Sequence, residues 1–184
     1  MTKSYRNVTK RAKLCPFSAD FPVGGNCKKA ALTFRNANAS DIWDILAWRN
    51  SPQARKYSFK HTKISRAEHK SWLLEKFKDK RAKIYIAESN HGNKIGQVRF
   101  DKKGSFAEIS VCLNPKHYGK GYGSVIIGNL TRRYLSENRR VAGVKATIIV
   151  GNEASKKAFK KAGYIISYYG NKDGERMLVM RADR

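Results

Sequence analysis

Cysteine is scarce in this chain, and none of it is arranged for metal or disulfide chemistry. Cys15, Cys27 and Cys112 make no CxxC pair and stand at no ligand spacing from His61, His69, His91 or His117, so no metal site is expected. An odd thiol count without an apolar leader at the N-terminus predicts reduced thiols and a cytoplasmic location. No apolar run approaches the ~20 residues that cross a bilayer, which argues against membrane insertion. Acids are also few: 14 Asp and Glu face 39 Lys and Arg, a formal charge of +25. The resulting field draws in phosphate-bearing ligands, nucleic acids or anionic surfaces, and charge alone does not choose among them. The G-x-x-x-x-G-K-[ST] spacing of nucleoside triphosphatases is absent, as is any internal repeat.

What is present bounds one domain with an appendage. The 184 residues are 41% hydrophobic, enough for a single ordinary core. Residues 1–29 hold seven Lys or Arg against one acid, and Pro16, Pro22, Gly24 and Gly25 interrupt any period; they read as a poorly ordered basic extension. Regular patterning begins at residue 30, so 30–184 is the expected folded domain. An extended Ala31 to Arg35 precedes Ser40-Asp41, read as a helix start before Ile42, Trp43, Leu46 and Ala47. Pro52 breaks that helix or separates two short ones. Ser65 to Glu68 forms a capping-box pattern, opening a helix with His69, Trp72, Leu73 and Phe77 on one stripe.

Strand signals then follow closely, from Lys83 to Glu88, Ile95 to Asp101 and Phe106 to Leu113, a pattern that predicts an antiparallel meander. Val125 to Leu135 has helical spacing. Val144 to Val150 is a short β-branched run, and that pairing implies a crossover. A helix over Asn152 to Ala162 and a final hairpin around Asn171-Lys172-Asp173-Gly174 complete the order β-αα-βββ-α-β-α-ββ. The expected class is α/β (α+β), a mostly antiparallel sheet flanked by helices.

The most informative segment is His117-Tyr118-Gly119-Lys120-Gly121-Tyr122-Gly123-Ser124. Alternating glycines between a strand and a helix start leave backbone N–H groups without intrahelical partners, at the positive end of a helix dipole. Such a nest fits a pyrophosphate. A ligand-free tight turn is the plain alternative for this segment. Downstream lie Gly151-Asn152-Glu153-Ala154-Ser155, Phe159 and Ala162-Gly163-Tyr164.

Taken together, the two motifs resemble those of the GNAT acetyltransferase superfamily, over residues 31 to about 181. Tyr118 to Gly123 follows the family's Q/R-x-x-G-x-G/A pattern, with Tyr118 where Arg or Gln is usual. The resemblance implies acetyl-CoA as co-substrate, held by Val111, Cys112 and Leu113, by Tyr118, Gly119, Lys120, Gly121, Tyr122, Gly123 and Ser124, and by Asn152, Ser155 and Phe159. It implies direct acetyl transfer to a primary amine, with Glu108 as first choice of general base and Glu88 and His69 in reserve. Phe159 stands where the family usually has a tyrosine acid, so Tyr164, Tyr118 or a water must protonate the departing thiolate, or it leaves unaided.

Within the superfamily, Leu46 to Arg55, Ser65 to Trp72, Gly96 to Phe100 and Ala107 to Ser110 are similar to the pseudaminic acid pathway enzymes. Those acetylate the 4-amino group of a UDP-linked amino sugar. The ribosomal-protein N-terminal acetyltransferases carry related segments, which leaves a peptide amine as the alternative acceptor. Trp48, Arg49, Asn50, Arg55, His69 and Arg99 would contact the acceptor, with Arg49, Arg55 or Arg99 on phosphate groups. Monomer and homodimer are both open. A basic nucleic-acid-binding module is the reading from a different class.

Overall fold

The computed structural model describes residues 32–184; the basic 1–29 extension lies outside them. Strand β1 (Leu32–Asn36) is followed by a 3-10 turn over Ala39–Asp41. That turn is set by Asn38 and Asp41, whose side chains each accept the other's backbone amide. The expected start signal at Ser40-Asp41 is therefore this capping box, two residues earlier. Helix α1 (Ile42–Arg49) ends before Pro52, which sits in the first turn of a separate short helix, α2 (Pro52–Lys56), capped by Ser51. A proline is tolerated there because the first-turn N–H has no helical partner anyway. Ser65 caps α3 (Arg66–Lys78) by accepting the Glu68 amide.

Strands β2 (Ala82–Ser89), β3 (Lys94–Lys103) and β4 (Phe106–Leu113) form the meander. Helix α4 (Tyr122–Glu137) then crosses over to β5 (Gly143–Ile149), and α5 (Glu153–Lys161) leads to the hairpin β6 (Ile165–Lys172) and β7 (Glu175–Asp183). The hairpin turns on Asp173 (φ 49°) and Gly174 (φ 80°), the pair of positive φ values that a two-residue turn matching the strand twist needs. The seven strands lie in the order β1-β2-β3-β4-β5-β7-β6. Every neighbouring pair is antiparallel except β4 with β5.

The side-chain alternation of the strands divides the core into two layers. One face of β4 sends Ala107 and Ile109 against Ile126, Ile127, Leu130 and Tyr134 of α4 and Phe159 of α5. The other sends Cys112 against Ile42, Ile45, Trp48 and Leu73 of α1 and α3. On the first face Phe100 stacks on Tyr134 at 4.3 Å. Each such ring removes a large apolar area from water.

Asp41, fully buried, ties α1 to the sheet. It receives Arg35 at 2.7 and 2.8 Å, Lys94 at 2.7 Å and the Asn38 amide at 2.9 Å. Burial pushes its carboxyl upward, but the hydrogen bonds from Arg35, Lys94 and Asn38 outweigh it and hold the group well below the usual range. A depressed native pKa means that the unfolded chain takes up the proton first as acid is added. The network therefore contributes fully above the ordinary value of 3.8 and is lost as pH falls below it. Asp41→Ala should cost about 3–5 kcal/mol at neutral pH, because Arg35 and Lys94 lose their shared counter-charge. Urea midpoints measured from neutral to acid pH check this: the wild type should weaken as pH falls below about 4, and the variant should show less of that decline.

Candidate active site

The two parallel strands do not stay together. β4 and β5 pair only at Phe106, Ala107 and Glu108. β4 then continues to Leu113 alongside β3, while β5 continues to Ile149 alongside β7. The result is a fork whose mouth lies at the carboxyl ends of both strands, the usual place for a ligand at such a break in sheet order. The tip of β4 is pressed against β3: a Cβ at Gly96 would come within 2.8 Å of the Cys112 carbonyl oxygen and 2.9 Å of Leu113 Cα.

Hydrogen-bond direction alternates along a strand. The Asn114 amide bonds Ile95 O on β3 at 2.8 Å, so the even positions 112 and 110 also turn to β3, while the amides of Val111 and Leu113 turn into the fork. Of the three expected backbone contacts, Cys112 is thus the one that faces away. Its side chain is buried, and burial pushes the thiol up to about 12 against the opposing influence of Arg49.

At the mouth, Asn114 caps a 3-10 turn over Pro115–His117. Gly119 (φ 73°) and Gly121 (φ 79°) then bend the chain into α4, whose N-terminus has no side-chain cap. An added Cβ at either glycine would meet nothing within 4 Å. The amides of Gly119 and Gly121 donate to no backbone carbonyl among the described residues, and the first amides of a helix have no intrahelical partner. This is an open cradle of donors, and it fits a diphosphate in shape and sign. Lys120 is exposed on its rim, and Tyr122 sits edge-on to His117 at 5.7 Å. The expected hydroxyl of Ser124 is spent differently, donating to Gly121 O at 3.3 Å. Gly123 lies beside Ala158 of α5, which brings a second helix N-terminus to the same mouth. There Asn152 Oδ1 accepts the Ser155 amide at 3.1 Å, so that side chain serves as the α5 cap.

The wall facing the cradle is built from α1, α2 and the loop after them. Ser51 Oγ and Tyr118 Oη are 3.5 Å apart, joining this wall to the glycine loop. Arg49 Nη2 donates to Ser58 Oγ and to Lys60 O, while Arg55 Nη1 donates to His61 O at 3.3 Å. Arg49 Nη1 and Arg55 Nε are buried without any hydrogen-bond partner among the described residues. The β6–β7 hairpin closes onto the same loop, with Lys172 over the Phe59 ring at 5.0 Å and His61 Nε2 at 3.2 Å from Glu175.

The family description that fits the chain is the acetyltransferase (GNAT) domain, matched over residues 31–165. The chain belongs to this family. It is accordingly an acetyl-CoA-dependent N-acetyltransferase. A search of curated proteins gives no match. Among solved structures, the spermidine N-acetyltransferase from Vibrio cholerae, in complex with CoA and spermine, is 18% identical with a TM-score of 0.73, covering 83% of this chain and 95% of its own. The aminoglycoside acetyltransferase AAC(6')-Ib, in complex with coenzyme A and kanamycin, is 18% identical with a TM-score of 0.71, covering 84% and 95%. A domain from Methanocaldococcus jannaschii is 20% identical with a TM-score of 0.72, covering 85% and 100%. At these identities the likeness concerns the fold.

Within this GNAT domain, several of the expected site residues are engaged by other parts of the fold. Glu108 occupies the last paired rung, below the fork, and its carboxylate is 2.7 Å from Lys103 Nζ. Glu88 is two strands away on β2 and bonded to Arg35 at 2.9 Å. Tyr164 is buried, its hydroxyl 2.8 Å from Thr131 Oγ1, with burial raising its pKa. His69 is also buried, with Nε2 donating to Ile42 O at 3.0 Å and burial lowering its pKa. It braces α3 on α1. Phe159 packs edge-on to Tyr164 at 4.9 Å in the core.

The acceptor candidates divide likewise. Trp48 is core. Asn50 exchanges both amide bonds with the Ile64 backbone, which fastens the loop before α3. Arg99 is held by Asp101 at 2.6 Å and lies over Trp72. Arg49 and Arg55 remain at the wall. Sequence reasoning missed Ser51 and the loop over 57–61. The Ser-Pro pair at 51–52 was the available signal for the first; nothing in the pattern marked the second. Among the described residues, no cluster of His, Cys, Asp and Glu could hold a metal, and no helix is long and apolar enough to cross a membrane.

Proposed function

We propose that this enzyme transfers acetyl from acetyl-CoA directly to the primary amine of an anion-bearing small molecule, with a UDP-linked amino sugar as the best-fitting class. The observation that carries this reading is the pair of buried guanidinium donors without partners, Arg49 Nη1 and Arg55 Nε. A buried donor left unsatisfied costs free energy that a phosphate or carboxylate oxygen recovers, and Arg meets such groups with strong charge-assisted bonds. A polycationic acceptor would instead meet like charge there.

In this reading the diphosphate of acetyl-CoA rests on the amides of Gly119, Gly121, Tyr122 and Gly123. The amides of Val111 and Leu113 face pantetheine and the thioester carbonyl, where they stabilise the oxyanion. The amine attacks the carbonyl carbon. An N–C bond forms, the C–S bond breaks, and the ammonium proton passes to water at the open mouth, since Glu108 and Glu88 are held by Lys103 and Arg35. Tyr118 Oη supplies the proton to the departing thiolate. Burial raises the Tyr118 pKa, with the Ser51 contact opposing it, so the hydroxyl is protonated at neutral pH.

A thiol-release assay across UDP-amino sugars, aminoglycosides, polyamines and peptides tests the acceptor class. Saturable turnover with the UDP-amino sugars is expected, at a kcat/KM at least about tenfold above the polycations, as a single charge-assisted bond would give. Turnover of kanamycin, spermidine or a peptide amine without sugar turnover would overturn the assignment.

A further inference from the structure

At the end of the sheet opposite the fork, basic side chains collect with no counter-charge of their own. Lys102 at the end of β3 and Arg139 and Arg140 in the α4–β5 loop line an open depression of about 380 Å³, together with Ser136, Glu137 and Asn138. Lys83 on β2 is close enough to act electrostatically on Glu137. None of these four cations has a carboxylate within ion-pair distance among the described residues. The acids nearby are already taken: Glu137 by Arg133 at 2.8 Å and Tyr85 at 3.0 Å, Asp101 by Lys76 and Arg99, Glu108 by Lys103.

The depression also lies at the C-terminal end of α4, where exposed carbonyls would repel an anion. That end is covered. Arg184 donates to Leu135 O, Asn138 O and Val141 O, and Asn138 Nδ2 donates to Tyr134 O. What faces solvent is therefore dominated by Lys102, Arg139 and Arg140, with the Glu137 charge offset by Arg133.

We propose that this surface binds the phosphodiester backbone of a nucleic acid, separately from the acetyl-transfer site. An anionic membrane is the other partner for a basic patch, but membrane-surface anchoring normally pairs basic residues with exposed apolar side chains. The large exposed apolar residues here are Trp43, Leu74, Val125, Ile165, Ile166, Tyr168 and Tyr169, and none of them lines the depression. The distance to the glycine cradle is about the length of α4, roughly 24 Å at ~1.5 Å per residue, so polyanion and acetyl-CoA do not compete.

The test is fluorescence anisotropy of the full chain with labelled single-stranded RNA and DNA of mixed sequence, titrated at several salt concentrations. On single strands, four phosphate contacts predict a log–log salt slope of about −3 for the patch. The K102E/R139E/R140E variant should flatten the slope by about two units and weaken binding at least about tenfold, with acetyl-CoA affinity unchanged as the check that it folds. If charge reversal perturbs folding, Gln at the same three positions gives a smaller loss of the same sign. Binding of either nucleic acid with these losses supports the proposal. An unchanged slope in the variants, no binding of RNA or DNA, or binding confined to anionic phosphatidylserine vesicles would each overturn it.

Discussion

Gly121→Glu should weaken acetyl-CoA binding by at least about a hundredfold in Kd, as measured by isothermal titration. Two effects add at this position. Gly121 holds φ at 79°, a conformation that costs an L-residue roughly 1–2 kcal/mol. The new carboxylate would also enter the open space that an added Cβ finds free of protein atoms, placing negative charge against the amides proposed to hold the diphosphate. Gly121→Ala separates the two, since it introduces the backbone strain without the charge and should weaken binding only about tenfold. Near-normal affinity in the glutamate variant would show that the diphosphate does not use this loop, and the assignment of the cradle would fall.

Tyr118→Phe is expected to lower kcat by about a hundredfold, the lower end of what a positioned general acid contributes, with the KM for acetyl-CoA little changed. The candidate acids end up in different places. Phe159 has no proton to give, and the Tyr164 hydroxyl is committed to Thr131 inside the core. The Tyr118 hydroxyl lies at the mouth beside Ser51. Tyr164→Phe is the matching control, with a stability loss of about 1 kcal/mol from the severed hydrogen bond and no loss of turnover. A Tyr118→Phe enzyme with wild-type kcat would mean that the thiolate leaves without assistance from this residue.

The helix and strand order was legible because each element carries its own period and its own stops. The glycine turn needed no tertiary knowledge either: Gly119 and Gly121 precede a helix, and a helix start exposes amides whatever packs around it. Asn152 could be located, but not its use, since the same asparagine serves as a helix cap or a ligand contact depending on which atoms come near. What the side chains of the expected site residues bond to could not be read from the sequence. Glu108, His69 and Asn50 have the right chemistry for a site, yet each is occupied by a partner on another element or loop, Lys103, Ile42 and Ile64, while Arg99 is held by Asp101 two residues along its own strand.

Residue order by itself determined the local conformations, the excess of positive charge and the anion-seeking loop, all of which follow from interactions within a few residues or from simple addition of charges. Only the tertiary structure decided that β4 and β5 part after Glu108, which β4 amides are left for a ligand, and which of the arginines keep a donor unspent. Those outcomes depend on long-range register and on competition among partners for each polar atom, and neither is written in any short stretch of the chain.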